Sequence, residues 1–372
     1  MSVLSDLLSG CVCDTEKLNK YIEFTDDEKK ELDDIIKRYP VRVTPYYLGL
    51  INKEDKNDPI RKLCIPERLE YSEGGLEDTS GEQINTVIRG MQHKYRQTVL
   101  VLTTNNCAAY CRHCFRKRMV GSRPDEVAES LSDMAAYVKE HPEINNVLLS
   151  GGDAFVNENE LIRDYLEAFS EIENVRLIRF GTRVPVVLPQ RIYEDEELLN
   201  ILRKYSSRVQ LAVITQFDHP GEVTEEAKRA VHALMECGVY VRNQTVLLKG
   251  VNDDPEVMAE LANGIVSIGV QPYYIFQCRP VLGVKNQFQV PFNRGEEILK
   301  KAKTMMNGQA RSYRYVLSHP TGKIEVIGRD GEEMLFKYHE AKADADQGRL
   351  FKLKLPDDKC WLSMDDVAYS GK

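Results

Sequence analysis

Residues 98–118 read TVLVLTTNNCAAYCRHCFRKR, and this stretch contains the features that decide the fold. It opens with a run of β-branched and aliphatic residues, which is typical of a buried strand. The run passes into a loop that holds Cys107, Cys111 and Cys114. In parallel α/β folds, chemically active residues follow the carboxyl ends of strands. The order therefore predicts a strand with a cysteine-bearing loop at its carboxyl end.

The alternation of apolar run, polar loop and helical stretch repeats downstream. Further strands are predicted at residues 146–149, 175–180, 209–215, 239–248 and 272–276. Asn157 is expected to cap the helix after the second strand, with Leu161 on the apolar face of that helix. Six such units predict an α/β fold, namely a partial parallel (β/α)6 barrel that stays open, since eight units close the familiar barrel.

Three segments are predicted along the chain. Residues 1–90 are charged and loop-rich and form an N-terminal helical extension, and residues 91–294 form the barrel. Residues 295–372 form a C-terminal segment with strands at 313–317 and 323–327, followed by a polar tail.

Composition excludes several classes of protein. The chain has 372 residues, of which 42% are apolar and 29% charged, as in ordinary soluble globular proteins. A net charge of −8 argues against a nucleic-acid binder or a protein that binds anionic membranes. No apolar run is long enough to span a membrane, and the first residues lack the basic region of a signal peptide. Nine scattered cysteines predict reduced thiols in a cytoplasmic protein.

Three thiolates in one loop suit an iron–sulfur cubane. Each of Cys107, Cys111 and Cys114 can hold one iron of a 4Fe-4S cluster, which leaves the fourth iron open for a substrate or cofactor. The alternative is a zinc site completed by His113, but structural zinc usually takes paired ligands from two separated segments. A non-catalytic binding protein with a metal-stabilised loop is a more remote alternative.

The spacing CxxxCxxC, present here as CAAYCRHC, resembles the motif of the radical S-adenosylmethionine superfamily. Over about residues 90–327 the chain is similar to the lysine 2,3-aminomutase family. The segments that carry this resemblance are CRHCFRKR, VLLSGGDA, TRVPVVLPQRI, QFDHPGEVT, NQTVLLKGVND and QPYYIFQC. The resemblance implies S-adenosylmethionine at the open iron, an electron donor such as a ferredoxin or flavodoxin, and a homo-oligomer.

The resemblance also assigns residues around the cluster. Contacts with S-adenosylmethionine fall to Ser150, Gly151, Gly152, Asp153, His219 and Gln244. Without the resemblance, the segment SGGD is a turn and a histidine before proline is a structural residue. Arg116 matches the arginine that binds the substrate carboxylate, a role that suits the planar guanidinium. Arg116 belongs to a basic run made up of Arg112, Arg116, Lys117 and Arg118. The alternative interpretation of this basic run is a solvated face or a contact with nucleic acid.

Family members carry pyridoxal phosphate on a lysine near the C-terminus, and the matching segment SHPTGKIEV points to Lys323 as that catalytic lysine. Candidates for contacts with the cofactor are Lys94, Tyr95 and Arg96. Three positions depart from the family pattern. The glycine run before the lysine is reduced to Gly322, Thr98 stands where an arginine is expected, and Phe276 replaces a tyrosine near the cofactor.

Two further departures bear on the substrate. Lysine-specific members hold the distal ammonium with two aspartates, and this chain has Arg279 and Ser318 at those positions. A guanidinium facing a lysine substrate would place like charges together in a dry site. The resemblance therefore implies a 2,3-aminomutase for glutamate or another acidic amino acid. Arg279 could instead bind a cofactor phosphate or an internal acid. A radical enzyme of this fold that acts on another amine or on a protein, without pyridoxal phosphate, is the alternative function.

Overall fold

A computed structural model describes residues 2–122 and 124–368 as one sheet flanked by helices. Residues 369–372 of the predicted C-terminal segment lie outside the described residues. The strands are β1 (Thr86–Ile88), β2 (Met91–Tyr95), β3 (Thr98–Thr104), β4 (Asn146–Gly151), β5 (Leu177–Gly181), β6 (Gln210–Thr215), β7 (Tyr240–Leu247), β8 (Gln271–Gln277), β9 (Arg314–His319), β10 (Gly322–Asp330), β11 (Glu333–Ala341) and β12 (Leu350–Leu353).

Helices fill most of the intervals between strands. They are α1 (Val3–Ser9), α2 (Thr15–Leu18), α3 (Asp26–Arg38), α4 (Pro45–Leu48), α5 (Pro59–Cys64), α6 (Leu131–Glu140), α7 (Asn159–Ser170), α8 (Val184–Val187), α9 (Gln190–Tyr193), α10 (Glu196–Ser206), α11 (Glu225–Glu236), α12 (Pro255–Ser267), α13 (Lys285–Phe288), α14 (Phe292–Lys303) and α15 (Met364–Ala368).

The sheet follows chain order from β1 to β12. Strands β3 to β8 pair in parallel, each joined to the next by helices, and β9 continues the parallel order. Antiparallel strands extend both edges, β1 and β2 before β3, and β10 to β12 after β9. Within the described residues β1 and β12 do not pair with each other. The predicted partial parallel (β/α)6 barrel is confirmed, and its sheet is not closed by hydrogen bonds.

Burial alternates along the barrel strands because successive side chains point to opposite faces. In β7, Val241 and Leu247 pack into the core formed with the helices, whereas Arg242 and Gln244 are only partly buried. The second set lines the interior of the open barrel.

The prediction for the start of α7 is wrong in detail. The helix begins after Glu158, and Asn157 instead donates from Nδ2 to Thr103 Oγ1 (2.8 Å) and Ala154 O (3.0 Å). The loop after β4 turns back toward β3, so the amide bonds across the sheet rather than to the helix. Leu161, which was expected on the buried face, is 37% exposed.

The N-terminal segment contains α1 to α5 and packs on the barrel. Thr44 Oγ1 donates to Val187 O (2.5 Å) next to α8. The backbone of the cysteine loop, residues 105–121, also bonds to this segment, with Arg112 N donating to Leu63 O (2.9 Å). The segment therefore helps to hold the site in place.

The expectation of a polar tail after residue 327 is wrong. Strands β11 and β12 extend the sheet there, because Met334, Phe336 and Tyr338 recur at every second position and are buried. Leu335 and Lys337, which lie between them, point to the other face. None of the described helices is long and apolar enough to cross a membrane.

Candidate active site

The three cysteines lie on the cysteine loop directly after β3. Cys107, Cys111 and Cys114 are all partly exposed and form no disulfide. The loop is held by its backbone, with Gly121 N donating to Asn105 O (2.9 Å). Burial raises the pKa of the Cys111 thiol to about 11, so a metal that binds this group must displace its proton.

The cysteine loop offers a set of donors that suits a cubane. Among residues 2–122 and 124–368, no three histidine, cysteine or acidic side chains converge as ligands of one metal ion. In a cubane each cysteine holds a different iron, so the sulfur atoms need not converge. His113, the fourth ligand of the zinc alternative, bonds through Nε2 to Gln216 (2.7 Å). The donor set therefore suits a 4Fe-4S cluster with one iron left open.

The segment Ser150–Asp153 reaches the cysteine loop through its backbone. Gly151 has φ +121°, a conformation that favours glycine. Gly152 N donates to Thr104 O (2.6 Å), and Asp153 N donates to Asn106 O (2.8 Å). Ser150 lies in β4 at one of the partly buried positions, which face the interior of the barrel. The structure thus brings together the cysteines and the segment assigned to S-adenosylmethionine.

The Asp153 carboxylate is engaged within the protein. It accepts hydrogen bonds from Thr182 Oγ1 (2.5 Å), Arg183 N (2.7 Å) and Phe155 N (3.0 Å), and it is buried. These contacts join the loops after β4 and β5. Asp153 therefore orders the site, as the sequence allowed, while its contact with a cofactor stays a prediction.

Replacing Gly152 with alanine is expected to loosen the cysteine loop. A Cβ built at this position lies 2.1 Å from Asn106 O, so the two segments must move apart. We expect a loss of about 1–3 kcal/mol in the free energy of unfolding and a lower iron content after reconstitution. Gly308→Ala is the matched control, because a Cβ there meets nothing within 4 Å. Equal urea midpoints for the two variants would contradict the predicted close packing.

His219 and Gln244, the two remaining residues assigned to S-adenosylmethionine, differ in the hydrogen bonds that their side chains make within the protein. His219 Nδ1 accepts a hydrogen bond from Gly221 N (3.1 Å), which caps the short turn after β6. The side chain of Gln244, on β7, has no hydrogen-bond partner in the described part of the chain and remains available to a ligand. Their cofactor contacts remain predictions.

Arg116 is held by an acid that the sequence analysis missed. Glu82 accepts hydrogen bonds from Arg116 Nε (2.8 Å) and from Arg118 Nη2 (2.7 Å), and its carboxylate is buried. None of the described residues accepts a hydrogen bond from the two terminal amino groups of Arg116. The guanidinium is thus fixed through Nε and keeps two donors for a carboxylate.

A second guanidinium lies next to the first. The carbon atoms Cζ of Arg116 and Arg279 lie 4.5 and 4.1 Å from the centroid of the Phe115 ring. Arg279 Nη1 is buried, and no described residue accepts a hydrogen bond from it. Burial lowers the pKa of Arg279 to about 10, which still leaves it charged at neutral pH. A buried donor without an acceptor is costly, so this place suits an anionic ligand.

The pairing of Glu82 predicts a dependence of stability on pH. Burial alone would raise the pKa of Glu82, but Arg116 and Arg118 lower it to about 2. Since the pKa is lower in the folded than in the unfolded state, the stabilisation is complete above the unfolded pKa and is lost as the pH falls toward 2. Between pH 6 and pH 3 the wild type should lose about 2 kcal/mol more than Glu82→Gln in the free energy of unfolding. Denaturant titrations check this, and parallel curves for the two proteins would contradict it.

Lys323 lies in a pocket of aromatic and charged residues. Its ammonium forms an ion pair with Glu340 and lies 4.5 Å from the ring centroid of Tyr95 and 5.8 Å from that of Tyr274. The preceding Gly322 has φ +150°, and a Cβ there would lie 2.3 Å from Glu340 O. One glycine therefore suffices for the close approach of strands β10 and β11 beside the lysine.

Lys94 adds a second amine to this pocket. Burial and the neighbouring charges of Arg279 and Lys323 together lower the pKa of Lys94 to about 7. Its ammonium donates to His319 O (2.7 Å) and links β2 to the end of β9. Neighbouring cations of this kind suit a phosphate, so Lys94, Tyr95 and Lys323 fit pyridoxal phosphate.

Arg96 and Ser318, two of the predicted site residues, differ in their position relative to the pocket around Lys323. The side chain of Arg96 is 67% exposed and lies 3.9 Å from Asp344, so the structure does not bring it to Lys323. Ser318 is buried and lies opposite Lys323 in the β9–β10 ladder. Side chains directly opposite one another in an antiparallel ladder share a face, so Ser318 is on the same side as the lysine.

Several residues of the site were given no role from the sequence. The contacts with the predicted residues come from Glu82 in a loop, Phe115 in the cysteine loop and Glu340 in the supposed tail. Arg183 also makes such a contact, and the sequence places it after the third strand without a role. The basic run did signal a need for buried acids nearby. Its counter-ion, Glu82, is remote in sequence, and only the fold brings the two together.

Comparison with known proteins agrees with this geometry. The sequence model of the Radical SAM superfamily matches residues 101–262. The L-lysine 2,3-aminomutase of Clostridium subterminale is 42% identical over 288 residues, which are 77% of this chain and 68% of that one. A protein of Aquifex aeolicus with the provisional name L-lysine 2,3-aminomutase is 38% identical over 346 residues, 92% of each chain. The glutamate 2,3-aminomutase of Clostridioides difficile is 35% identical over 317 residues, 85% of this chain and 74% of that one.

Proposed function

Because this chain belongs to the 2,3-aminomutase family of the radical S-adenosylmethionine superfamily, we propose that it moves the amino group of an acidic amino acid, in particular glutamate, from the α to the β carbon. The observation that carries this proposal is the buried guanidinium of Arg279, which has no acceptor among the described residues. Identity over the whole chain reflects the shared fold. The choice of substrate depends on the few residues that face the distal end of the substrate. In this chain these residues, Arg279 and Ser318, differ from the two aspartates of the lysine-specific members.

Two arginines match the two carboxylates of glutamate. We assign the α-carboxylate to Arg116, whose terminal amino groups are free while Glu82 fixes its Nε. We assign the distal carboxylate to Arg279, with Ser318 beside it. Charge-assisted hydrogen bonds of this kind are about twice as strong as neutral ones and hold a planar carboxylate in a defined orientation. Lysine would instead bring its ammonium toward a buried cation.

Family membership implies a 4Fe-4S cluster, S-adenosylmethionine and pyridoxal phosphate. When bound, these groups supply the radical chemistry of the rearrangement. We assign the cluster to the three cysteines, S-adenosylmethionine to the segment Ser150–Asp153 with His219 and Gln244, and pyridoxal phosphate to Lys323 with Lys94 and Tyr95. The protein orients the substrate between the two arginines and keeps water out of the barrel interior.

Three further expectations belong to the proposal. The reducing electron comes from a ferredoxin or flavodoxin, the chain forms a homo-oligomer, and it works in the cytoplasm as a barrel of residues 91–294 with an N-terminal extension and a C-terminal segment. Light scattering after size-exclusion chromatography measures the oligomer. Limited proteolysis at the borders of the barrel tests the division into segments.

The substrate is tested directly on the wild type. The protein is reconstituted anaerobically with iron, sulfide and pyridoxal phosphate, then given S-adenosylmethionine, dithionite and a pool of ¹³C-labelled amino acids. We expect β-glutamate as the product seen by NMR. Another β-amino acid in its place would overturn the choice of substrate. Release of 5′-deoxyadenosine without any β-amino acid would overturn the mutase activity and favour another amine or a protein as substrate.

A further inference from the structure

Arg183 places a charged donor on one of the cluster cysteines. It follows β5 directly, and its guanidinium Nη1 donates to Cys111 Sγ at 3.0 Å. The other nitrogens are also engaged, with Nε donating to Gln216 O (3.1 Å) and Nη2 to Tyr47 OH (3.0 Å). The side chain is buried, so this contact is shielded from water. Every nitrogen of the group has a defined partner, which fixes its position against the sulfur.

A buried carboxylate anchors the guanidinium. Glu222 accepts from Arg183 Nη2 (2.5 Å) and from Tyr47 OH (2.5 Å) on one oxygen. Its other oxygen accepts from the backbone of Asp218 (2.6 Å) and His219 (3.0 Å). The carboxylate is therefore held by the turn after β6, and it in turn holds the arginine. Tyr47 joins the N-terminal segment to the same network.

The position of the donor matters for electron transfer to the cluster. Reduction adds negative charge, part of which resides on the cysteine sulfurs, and a hydrogen bond from a cation stabilises that charge. The interaction is strong because the surroundings exclude water and have a low effective dielectric constant. Cys114, in contrast, receives a hydrogen bond from the backbone of Arg116, which carries no full charge on the donor.

We propose that Arg183 raises the reduction potential of the cluster through its hydrogen bond to Cys111 Sγ. It is a positioning residue, since it acts on the cluster through the cysteine. The inference rests on the cluster that the family implies and is independent of the substrate proposed above. A failure of the glutamate assay would therefore leave it intact.

The first test compares midpoint potentials. Arg183→Met removes the donor and the charge, and its reconstituted cluster should have a more negative midpoint potential in an EPR-monitored titration without S-adenosylmethionine. Tyr47→Phe is the matched control, because it removes a partner of the same guanidinium and leaves the contact with Cys111 in place. Its potential should match the wild type. An Arg183→Met protein with a full iron content and an unchanged potential would overturn the proposal.

A second measurement needs no variant, since loss of Arg183 leaves Glu222 buried without its cation and can prevent folding. The wild-type holoenzyme is produced with arginine labelled with ¹⁵N in the guanidino group. Pulsed EPR of the reduced cluster should then show a ¹⁵N coupling, which the backbone nitrogen of Arg116 cannot produce because it is unlabelled. The absence of any guanidino coupling would show that the hydrogen bond does not exist in the loaded enzyme.

Discussion

Replacing Cys111 with alanine should abolish the cluster and with it the cleavage of S-adenosylmethionine. The fourth iron of the cubane stays open only if three cysteines hold the others, so the loss of one thiolate removes an iron or the whole cluster. We expect the release of 5′-deoxyadenosine to fall by on the order of 10³-fold or more, as when an indispensable catalytic group is removed. Iron and sulfide analysis together with EPR of the reduced protein measures the loss of the cluster directly.

A control variant distinguishes the loss of a cluster ligand from the loss of any other cysteine. Cys360 is also a partly exposed free thiol but lies far along the chain, near the C-terminus. Cys360→Ala should keep the iron content and the activity of the wild type. A Cys111→Ala protein that retains four irons and cleaves S-adenosylmethionine would show that this cysteine is not a ligand.

Replacing Arg279 with glutamine should remove the turnover of glutamate. The distal carboxylate then faces a neutral amide in a buried place, and losing one partner of a desolvated ion pair costs about 2–5 kcal/mol. This corresponds to a fall in kcat/KM of about 30- to 4,000-fold. The reciprocal variant Arg279→Asp should lose glutamate turnover as well and should accept lysine better than the wild type does, because an acid suits the distal ammonium.

The control is a second arginine of the barrel. Arg242 lies near the start of β7, at the amino end of the strands, and packs on the ring of Tyr273 at 5.0 Å. Arg242→Gln should leave kcat/KM for glutamate within about threefold of the wild type, since active sites of parallel barrels lie at the other end. Absorbance of bound pyridoxal phosphate is measured for both variants. If Arg279→Gln loses the cofactor while the bound fraction of Arg242→Gln is normal, Arg279 binds the phosphate and the assignment to the substrate is wrong.

The strands were predictable because their signal is local. Apolar runs and their polar ends locate β3 to β8 closely, and β9 and β10 were also expected. The helix start predicted at Asn157 was wrong, because the amide of Asn157 bonds across the sheet to Thr103. Strands β1 and β2 were not predicted, and β11 and β12 were missed because their charged residues obscure the alternation of Met334, Phe336 and Tyr338. Local pattern locates a strand well where apolar residues follow one another closely, and poorly where charged residues interrupt them.

The sequence by itself determined the chemistry of this protein. The spacing of Cys107, Cys111 and Cys114 after a buried strand predicts the cluster, because ligands on one short loop need no help from the rest of the fold to be near one another. Only the tertiary structure decided what surrounds them. Glu82 and Arg183 come from distant segments, and no periodicity or spacing predicts that they contact Arg116 and Cys111. Such contacts depend on how the loops pack at the carboxyl ends of several strands, and charge pairs there form only once the barrel has excluded water.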